Sequence, residues 1–275
     1  MASADAPLSL HQLTALALSP AGLIDLAADL GCSHVGLFTC LPPGIATRFP
    51  CISTDQQEAA VAERLQARGV RLNNAEVFAL RAGIELDGYR EGLQRASRLG
   101  ARVATVHIHE PSPVLARTML AQFCDLAAEQ GLRAALEFTS FSGVRSLDAA
   151  LDLLDQLQHP AVCVALDALH FFRNGGRPSQ LQDLRPGQIG YLQLCDGPLQ
   201  APDDLYHEAV AARRIPGAGD FPLVELLVQA GPEVMLDVEV PRQADQINGS
   251  SVTDCAAAAV TAARQIMRQA TGASQ

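Results

Sequence analysis

The chain has no lysine: each of its 20 basic side chains is an arginine, set against 30 aspartates and glutamates for a net charge of −10 over 275 residues. That absence excludes a Schiff-base aldolase and a lysine general base, both of which need the amine. Carbonyl chemistry would then need a metal or protonated side chains. The acidic balance argues against broad binding to a nucleic-acid backbone. No GxxxxGK[ST] phosphate loop is present, so nucleotide binding is not expected. No apolar stretch reaches the roughly 20 residues of a membrane span, and the N-terminus lacks a basic segment followed by an apolar run. A soluble, cytoplasmic, unprocessed protein with no membrane partner is expected. There is no CxxC pair either: the seven cysteines (Cys32, Cys40, Cys51, Cys124, Cys163, Cys195, Cys255) are odd in number and scattered. They read as reduced core residues rather than a disulfide framework.

What is present is a core-forming pattern. At 48% hydrophobic the chain can bury a large interior, and apolar strand-like runs alternate with amphipathic segments from end to end. Eight strands are expected, at Leu8–Leu16, His34–Phe38, Arg71–Ala79, Val103–His109, Arg133–Phe138, Val162–Asp167, Ile189–Leu194 and Val234–Val240. Helices are expected at Pro20–Leu30, Thr54–Arg68, Asp87–Leu99, Leu115–Gln130, Ser146–Gln158, Pro178–Leu184, Phe221–Gln229 and Ser251–Ala270. Ser19-Pro20 and Ser53-Thr54 look like N-caps, and Gly31, Gly69, Gly100 and Gly131 fall where left-handed C-caps belong. Eight of each element imply one closed (β/α)8 TIM barrel domain over residues 1–275. Two long, proline-stiffened segments, Thr39–Ser53 with Pro42, Pro43 and Pro50, and Asp196–Asp220, follow strands and read as walls or lids of the catalytic face.

Glu137, Asp167, Gln193 and Glu239 sit at or near the C-terminal ends of four of these strands, separated by 30, 26 and 46 residues. A parallel barrel gathers such ends around one opening, where they would form an all-oxygen ligand set for a divalent cation. Each acid alone could be a structural ion pair, and Gln193 alone a satisfied core amide. His107 and His109 alternate on one strand and so share a face, and His170 lies three residues past Asp167. His107 and His170 are the candidate proton carriers, with Glu137 and Glu239 as carboxylate alternatives. Glu76, within another strand-like run, is a candidate for substrate hydroxyls or for an ion pair with a neighbouring arginine, and His109 for the pocket or the core.

The runs Leu136-Glu137-Phe138, Leu166-Asp167-Ala168-Leu169-His170, Tyr191-Leu192-Gln193-Leu194-Cys195-Asp196, Pro216-Gly217-Ala218-Gly219 and Asp237-Val238-Glu239 resemble the xylose isomerase-like TIM barrels. That group holds sugar isomerases, epimerases, inosose dehydratases and 3-dehydroshikimate dehydratases that share a Glu, Asp, His or Gln, Glu metal site, and the resemblance covers essentially the whole chain. Most members carry histidine where this chain has Gln193. Glutamine there resembles the bacterial 3-dehydroshikimate dehydratase branch, as does the start Leu10-His11-Gln12-Leu13-Thr14. The amide leaves a harder site that favours Mn²⁺ or Mg²⁺ over Zn²⁺. The family pattern also implies that Arg213, beside Arg214, reaches a substrate carboxylate or phosphate, with a solvated surface charge as the alternative. It further implies that Asp196 supports the site from beyond its strand, with a simple loop cap as the alternative.

The expected chemistry is metal-assisted enolisation of a keto-polyol or cyclic hydroxy-ketone, ending in dehydration or in isomerisation or epimerisation. A metal-dependent abasic-site endonuclease would want more histidine ligands and a basic groove, and the chain supplies neither. A non-catalytic binding protein on the same barrel is the remaining alternative, and the intact acids argue against it. The expected partner is a small sugar-like or hydroxy-ketone molecule, and barrels of this family often pair, which leaves a homodimer among the expectations.

Overall fold

In a computed structural model of the chain, residues 6–42, 49–243, 245 and 248–273 are described. The apolar runs form eight parallel strands in sequential order: β1 (Leu8–His11), β2 (His34–Phe38), β3 (Arg71–Leu80), β4 (Val103–Ile108), β5 (Arg133–Glu137), β6 (Val162–Asp167), β7 (Ile189–Leu194) and β8 (Leu236–Val238). β8 pairs back onto β1, in the register Leu8↔Leu236, and closes the barrel. The helices among the described residues are α1 (Pro20–Asp29), α2 (Asp55–Arg68), α3 (Arg90–Arg98), α4 (Pro113–Glu129), α5 (Leu147–Leu157), α6 (Ala168–Arg173), α7 (Leu205–Ala211), α8 (Leu223–Ala230) and α9 (Val252–Ala273).

The strands read as continuous apolar runs because both faces are buried. Outward residues such as Leu136, Val164 and Leu192 join the large core shared with the helices. Inward residues Val103, Ala135, Cys163, Ala165, Tyr191 and Met235 form a separate cluster that fills the barrel. Two residues farther along β4 to β8, the same inward face carries polar groups, so apolar packing at the bottom gives way to chemistry at the C-terminal end.

Local signals set the helix ends. Ser19 accepts from the Gly22 N–H at 3.2 Å, and Thr54 forms a capping box with Gln57. Gly31, Gly69, Gly100 and Gly131 all take φ between 65° and 81°, the left-handed region in which a β-carbon is costly. The seven cysteines are free; five are buried, and Cys40 and Cys51 are half-buried. Among the described residues, no helix is long and apolar enough to cross a membrane.

Several expectations need correction. The first strand stops at His11 instead of Leu16, and Gln12–Ala15 form a 3₁₀ turn. Side chains force the turn: Gln12 accepts from the Phe38 N–H at 2.9 Å and donates to the Pro50 carbonyl at 2.7 Å, and Thr14 donates to the Val238 carbonyl at 2.8 Å. The last strand is shorter than expected, so Glu239 lies just beyond β8. The segment expected to be a helix at Pro178–Leu184 is only a 3₁₀ turn over Pro178–Leu181. Helix α6 starts instead directly at the end of β6, because the Asp167 carboxylate caps it by accepting from the His170 N–H at 2.9 Å. The long segment after β7 contains α7, capped by Asp204, which accepts from the His207 N–H at 2.8 Å. Residues 43–48 of the other long segment, Pro43 included, lie outside the described residues.

Candidate functional site

The mouth of the barrel collects Glu76 from β3, His107 from β4, Glu137 from β5, Asp167 from β6, Gln193 from β7, Glu239 from beyond β8 and His11 from β1. Asp167 and Gln193 are register partners on neighbouring strands. All are buried except His107, which is half-exposed. His170 on α6 and Arg213 after α7 complete the ring, and both are buried.

The site divides into ion-paired groups. His11 lies between two acids, with Nε2 3.0 Å from Glu76 and Nδ1 3.2 Å from Glu239. Its Nδ1 is also 3.2 Å from the Leu13 N–H, but two flanking carboxylates favour the doubly protonated ring, which turns Nδ1 toward Glu239. Burial acts to lower the His11 pKa, yet Glu76 and Glu239 outweigh it and hold the imidazole well above its usual range. Burial likewise works to raise Glu76, but His11 and the Tyr191 hydroxyl bring it down to about 2. Tyr191 donates to Glu76 at 2.9 Å, and Asn74 donates to the same oxygen at 2.6 Å. Glu76 is therefore engaged below the mouth by His11, Tyr191 and Asn74, and its charged partner is a histidine rather than the neighbouring arginine expected.

Arg213 is placed by its own helix: its Nε donates to the Ala209 carbonyl at 2.7 Å. Nη1 then lies 2.5 Å from Asp167 and 3.1 Å from Glu239. Against the opposing effect of burial, Arg213 and His170 hold Asp167 down at about 2. Arg213 is thus occupied by the acids of the ring, which corrects its expected role as a receptor for a substrate anion. Asp196 needs a similar correction. Its fully buried carboxylate accepts four backbone N–H groups, from Gly197 (2.8 Å), Gly217 (2.8 Å), Gly219 (3.0 Å) and Phe221 (3.1 Å). It organises the segment after β7 and has no capacity left for a ligand.

The other side of the mouth is less saturated. His107 Nε2 meets Glu137 at 2.7 Å, and His170 Nε2 lies 3.9 Å from the other Glu137 oxygen. Burial raises Glu137 above the usual carboxylate range despite His107, while His107 is itself raised by Glu137 against burial. The pair therefore retains a proton between its members. His170 is pushed by burial down to about 4 and is neutral at ordinary pH. Phe141 packs edge-on against both His170 and Tyr206, with ring centroids 5.3 Å apart in each case. His109 stands farther out, exposed.

Whether the ring suits a cation is tested by its orphaned acceptors. Gln193 Oε1 and Glu239 Oε2 are buried and accept no hydrogen bond; the Arg213 contact to Glu239 is an ion pair without hydrogen-bond geometry. Burial lifts Glu239 to about 7, outweighing the lowering effect of Arg213 and His11. Three carboxylates and an amide oxygen, two donor atoms of them unused, fit a hard divalent ion. Among the described residues, no three His, Cys, Asp or Glu side chains already stand as a closed metal cage. Arg213 bridges two of the acids, and one of the four donors is an amide. One layer lower, both oxygens of Asp237 are also buried without hydrogen-bond partners, and burial raises that acid to about 7.

The sequence reading missed His11, Asn74, Tyr191 and Asp237. Three of them stood two residues before a residue already singled out: Asn74 before Glu76, Tyr191 before Gln193, Asp237 before Glu239. The strand period of two was therefore the signal available.

Relatives of this chain carry the same architecture. It is 30% identical over 102 residues to a 3-dehydroshikimate dehydratase of Pseudomonas putida, covering 37% of this chain and 16% of that protein. It is 30% identical over 149 residues to the 3-dehydroshikimate dehydratase of Pseudomonas aeruginosa, covering 50% of this chain and 23% of that protein. The matches thus span less than a quarter of the length of these curated relatives. Among solved structures, a xylose isomerase domain protein of Alicyclobacillus acidocaldarius superposes with a TM-score of 0.75 at 21% identity, over 97% of this chain and 99% of that one. The IolI protein with a bound zinc atom gives 0.74 at 17%, over 94% and 97%. D-psicose 3-epimerase of Clostridium cellulolyticum, solved with D-tagatose, gives 0.72 at 14%, over 95% and 99%. At these identities the structures show a shared fold. The family description matches residues 24–254, most of the chain, and the protein belongs to the xylose isomerase-like TIM barrel family.

Proposed function

We propose that this chain is a divalent-metal-dependent lyase that enolises a cyclic hydroxy-ketone and removes water from it, in the manner of a 3-dehydroshikimate dehydratase. The observation that carries this reading is the ring of Glu137, Asp167, Gln193 and Glu239, with unused acceptors on Gln193 and Glu239, set against the proton-holding pair His107–Glu137. The 30% identity to two 3-dehydroshikimate dehydratases supports the choice of reaction.

Glu137, Asp167, Gln193 and Glu239 would hold the cation, and their oxygen-only donor set favours Mn²⁺ or Mg²⁺ over the zinc found in IolI. When bound, the ion supplies Lewis acidity to the substrate's ketone oxygen. The chain's own groups do the rest. Arg213 and His11 fix the orientation of Asp167 and Glu239 from behind. His107, at the half-exposed edge with Glu137, takes the proton next to the ketone. The carbon–oxygen bond at the β-position then breaks, a double bond forms, and the hydroxyl departs as water with a proton delivered from the same side by the His107–Glu137 pair. Phe141 and Tyr206 wall the approach to His170.

One observation favours a second reading, a sugar or sugar-acid epimerase or isomerase. Glu137 and Glu239 come from β5 and the end of β8, strands three apart in the ring, so two carboxylates could serve opposite faces of one carbon.

The test is ultraviolet absorbance during incubation with 3-dehydroshikimate, before chelation, after it, and after Mn²⁺ add-back. Metal-restored formation of an aromatic acid is the expected result. If a metal-loaded protein produces none yet washes deuterium into a keto-sugar from solvent, the epimerase reading replaces the lyase.

A further inference from the structure

The N-terminal opening of the barrel, at the end opposite the mouth, carries a row of basic side chains. His34 starts β2, Arg71 starts β3, Arg102 immediately precedes β4 and Arg133 starts β5. His34 and Arg71 are register partners. The ladder runs on through the Arg102 N–H, which donates to the Asn73 carbonyl at 2.9 Å, and through the pair Val103↔Arg133. His34 lies on the inward face, two residues before Gly36, which is packed against His11 and Asn74. Arg102 stands five residues before His107, roughly 16 Å lower along the strand, so the row is separate from the ring at the mouth.

The fold supplies this row with no counter-charge. Arg71 and Arg102 are exposed, and among the described residues no hydrogen bond or ion pair engages either guanidinium. Other exposed arginines have acid partners: Arg64 with Asp25, Arg90 with Glu129, Arg98 with Glu58, Arg185 with Asp155. Arg133 is held by the Val162 and Gly187 carbonyls, at 3.0 and 2.7 Å, and has no acid partner either. His34 is buried, with Nδ1 2.9 Å from the Ser33 hydroxyl and no hydrogen-bond partner for Nε2 among the described residues. Burial first, then the Arg71 and Arg102 charges, push its pKa down to about 4, so the ring is neutral at ordinary pH. With the Ser33 hydroxyl donating to Nδ1, Nε2 carries the ring proton and is a free donor. Like charges on neighbouring strands repel, and in a chain of 30 acids and 20 bases their lack of a partner here leaves that repulsion for an outside anion to relieve.

We infer that Arg71, Arg102 and His34 form a binding site for a phosphate group at the N-terminal opening of the barrel. Two guanidinium forks match a doubly charged oxyanion, whereas a single carboxylate would leave one of them unmatched. The bound group would join the starts of β2, β3 and β4, and by linkage it would stabilise the barrel. Free phosphate and a phosphate monoester present the same chemistry to the site. The inference does not depend on the reaction at the mouth.

The experiment is calorimetry and thermal unfolding of metal-free protein with inorganic phosphate, phenyl phosphate and acetate, at ionic strength fixed with chloride. The proteins are wild type, Arg71→Gln, Arg102→Gln, Arg102→Lys and, as a control for net charge, Arg117→Gln, an exposed arginine on α4 bonded only to Gln156. Wild type is expected to bind one phosphate saturably, with a Tm that rises with its concentration. Arg71→Gln and Arg102→Gln should each weaken binding about tenfold or more, Arg102→Lys less, and Arg117→Gln less than twofold. The His34 ring signal, identified by its loss in the proton spectrum of His34→Gln, should move on phosphate addition at pH 7. No saturable binding, equal weakening in Arg117→Gln, a His34 signal that stays fixed, or acetate bound as tightly as phosphate would each overturn the site. Phenyl phosphate bound as well as inorganic phosphate would identify a group carried on a larger ligand, and its exclusion would identify the free ion; the site stands in both cases.

Discussion

The two halves of the barrel mouth solve opposite problems with the same residue types. On the side of β1, β3 and β8, His11, Glu76 and Glu239 are buried, and His11 is shared between the two acids. On the side of β4 and β5, His107 and Glu137 form a single pair at a half-exposed edge, with a neutral His170 behind it. A histidine clamped between two carboxylates keeps its proton and acts as a fixed cation. One paired once, with access to solvent, can exchange it. The difference assigns holding to the first half and proton transfer to the second.

The largest effect expected from this division is on turnover. His107→Gln should lower kcat by about 10²–10⁴-fold, the usual worth of a general acid or base, while circular dichroism and Tm stay close to wild type. Activity within a few-fold of wild type would mean that the exchangeable half is elsewhere. His11→Ala should behave in the converse way. It leaves Glu76 and Glu239 as buried carboxylates without their shared cation, at a stability cost of about 3–5 kcal/mol, read from the urea midpoint at constant m. If His11→Ala unfolds at the wild-type midpoint, the clamp is not structural.

Acidity sharpens the comparison further. Glu76 and Asp167 sit at about 2 against usual values of 4.5 and 3.8, so the stability they contribute is present above those usual values and is lost as pH falls through about 2. Glu239 and Asp237, raised to about 7, have the opposite sign: their contribution is complete below the usual carboxylate values and is lost as pH rises through about 7. In the metal-free protein, stability should therefore decline between about pH 4.5 and 7 on their account. A divalent ion competes with the proton for Glu239, so Mn²⁺ should raise Tm more at pH 8 than at pH 5. An equal rise at both values would detach Glu239 from the cation site.

How much of this was legible in the sequence follows from the range of the interactions. The barrel could be read because each βα unit announces itself locally, through an apolar run, a cap such as Ser19 or Thr54, and a glycine such as Gly69. Glu137, Asp167, Gln193 and Glu239 could be read because a parallel barrel converts the end of a strand into a place on a ring. The clamp could not. Tyr191 reaches Glu76 across 115 residues of chain, and His11 was hidden inside a strand expected to run on to Leu16. The family pattern implied that Asp196 supports the site and that Arg213 reaches a substrate anion, but a resemblance does not reveal whether a charge is already taken. Asp196 is consumed by four N–H groups and Arg213 by two acids.

The smallest effect belongs to the segment that arches from Asp196 to Phe221, which is held by different means from the ring. Its two ends meet at the Asp196 carboxylate, while its helix α7 is anchored by a buried two-pronged contact between Arg173 and Glu208 at 2.6 and 2.8 Å. Asp196→Asn keeps one carbonyl oxygen for two of the four N–H groups and presents an NH₂ to the others. Two backbone donors lose their acceptor, at a cost of about 1–3 kcal/mol that falls on the segment while the Arg173–Glu208 anchor remains. Limited proteolysis should therefore cut within residues 197–221 faster in the variant, with the urea midpoint of the barrel nearly unchanged. Since Arg213 rides on this segment, metal affinity should weaken in step with the loosening. Faster cutting with metal affinity intact would show that Asp167 and Glu239 are oriented without help from Arg213, and the holding half of the mouth would then reduce to His11 alone.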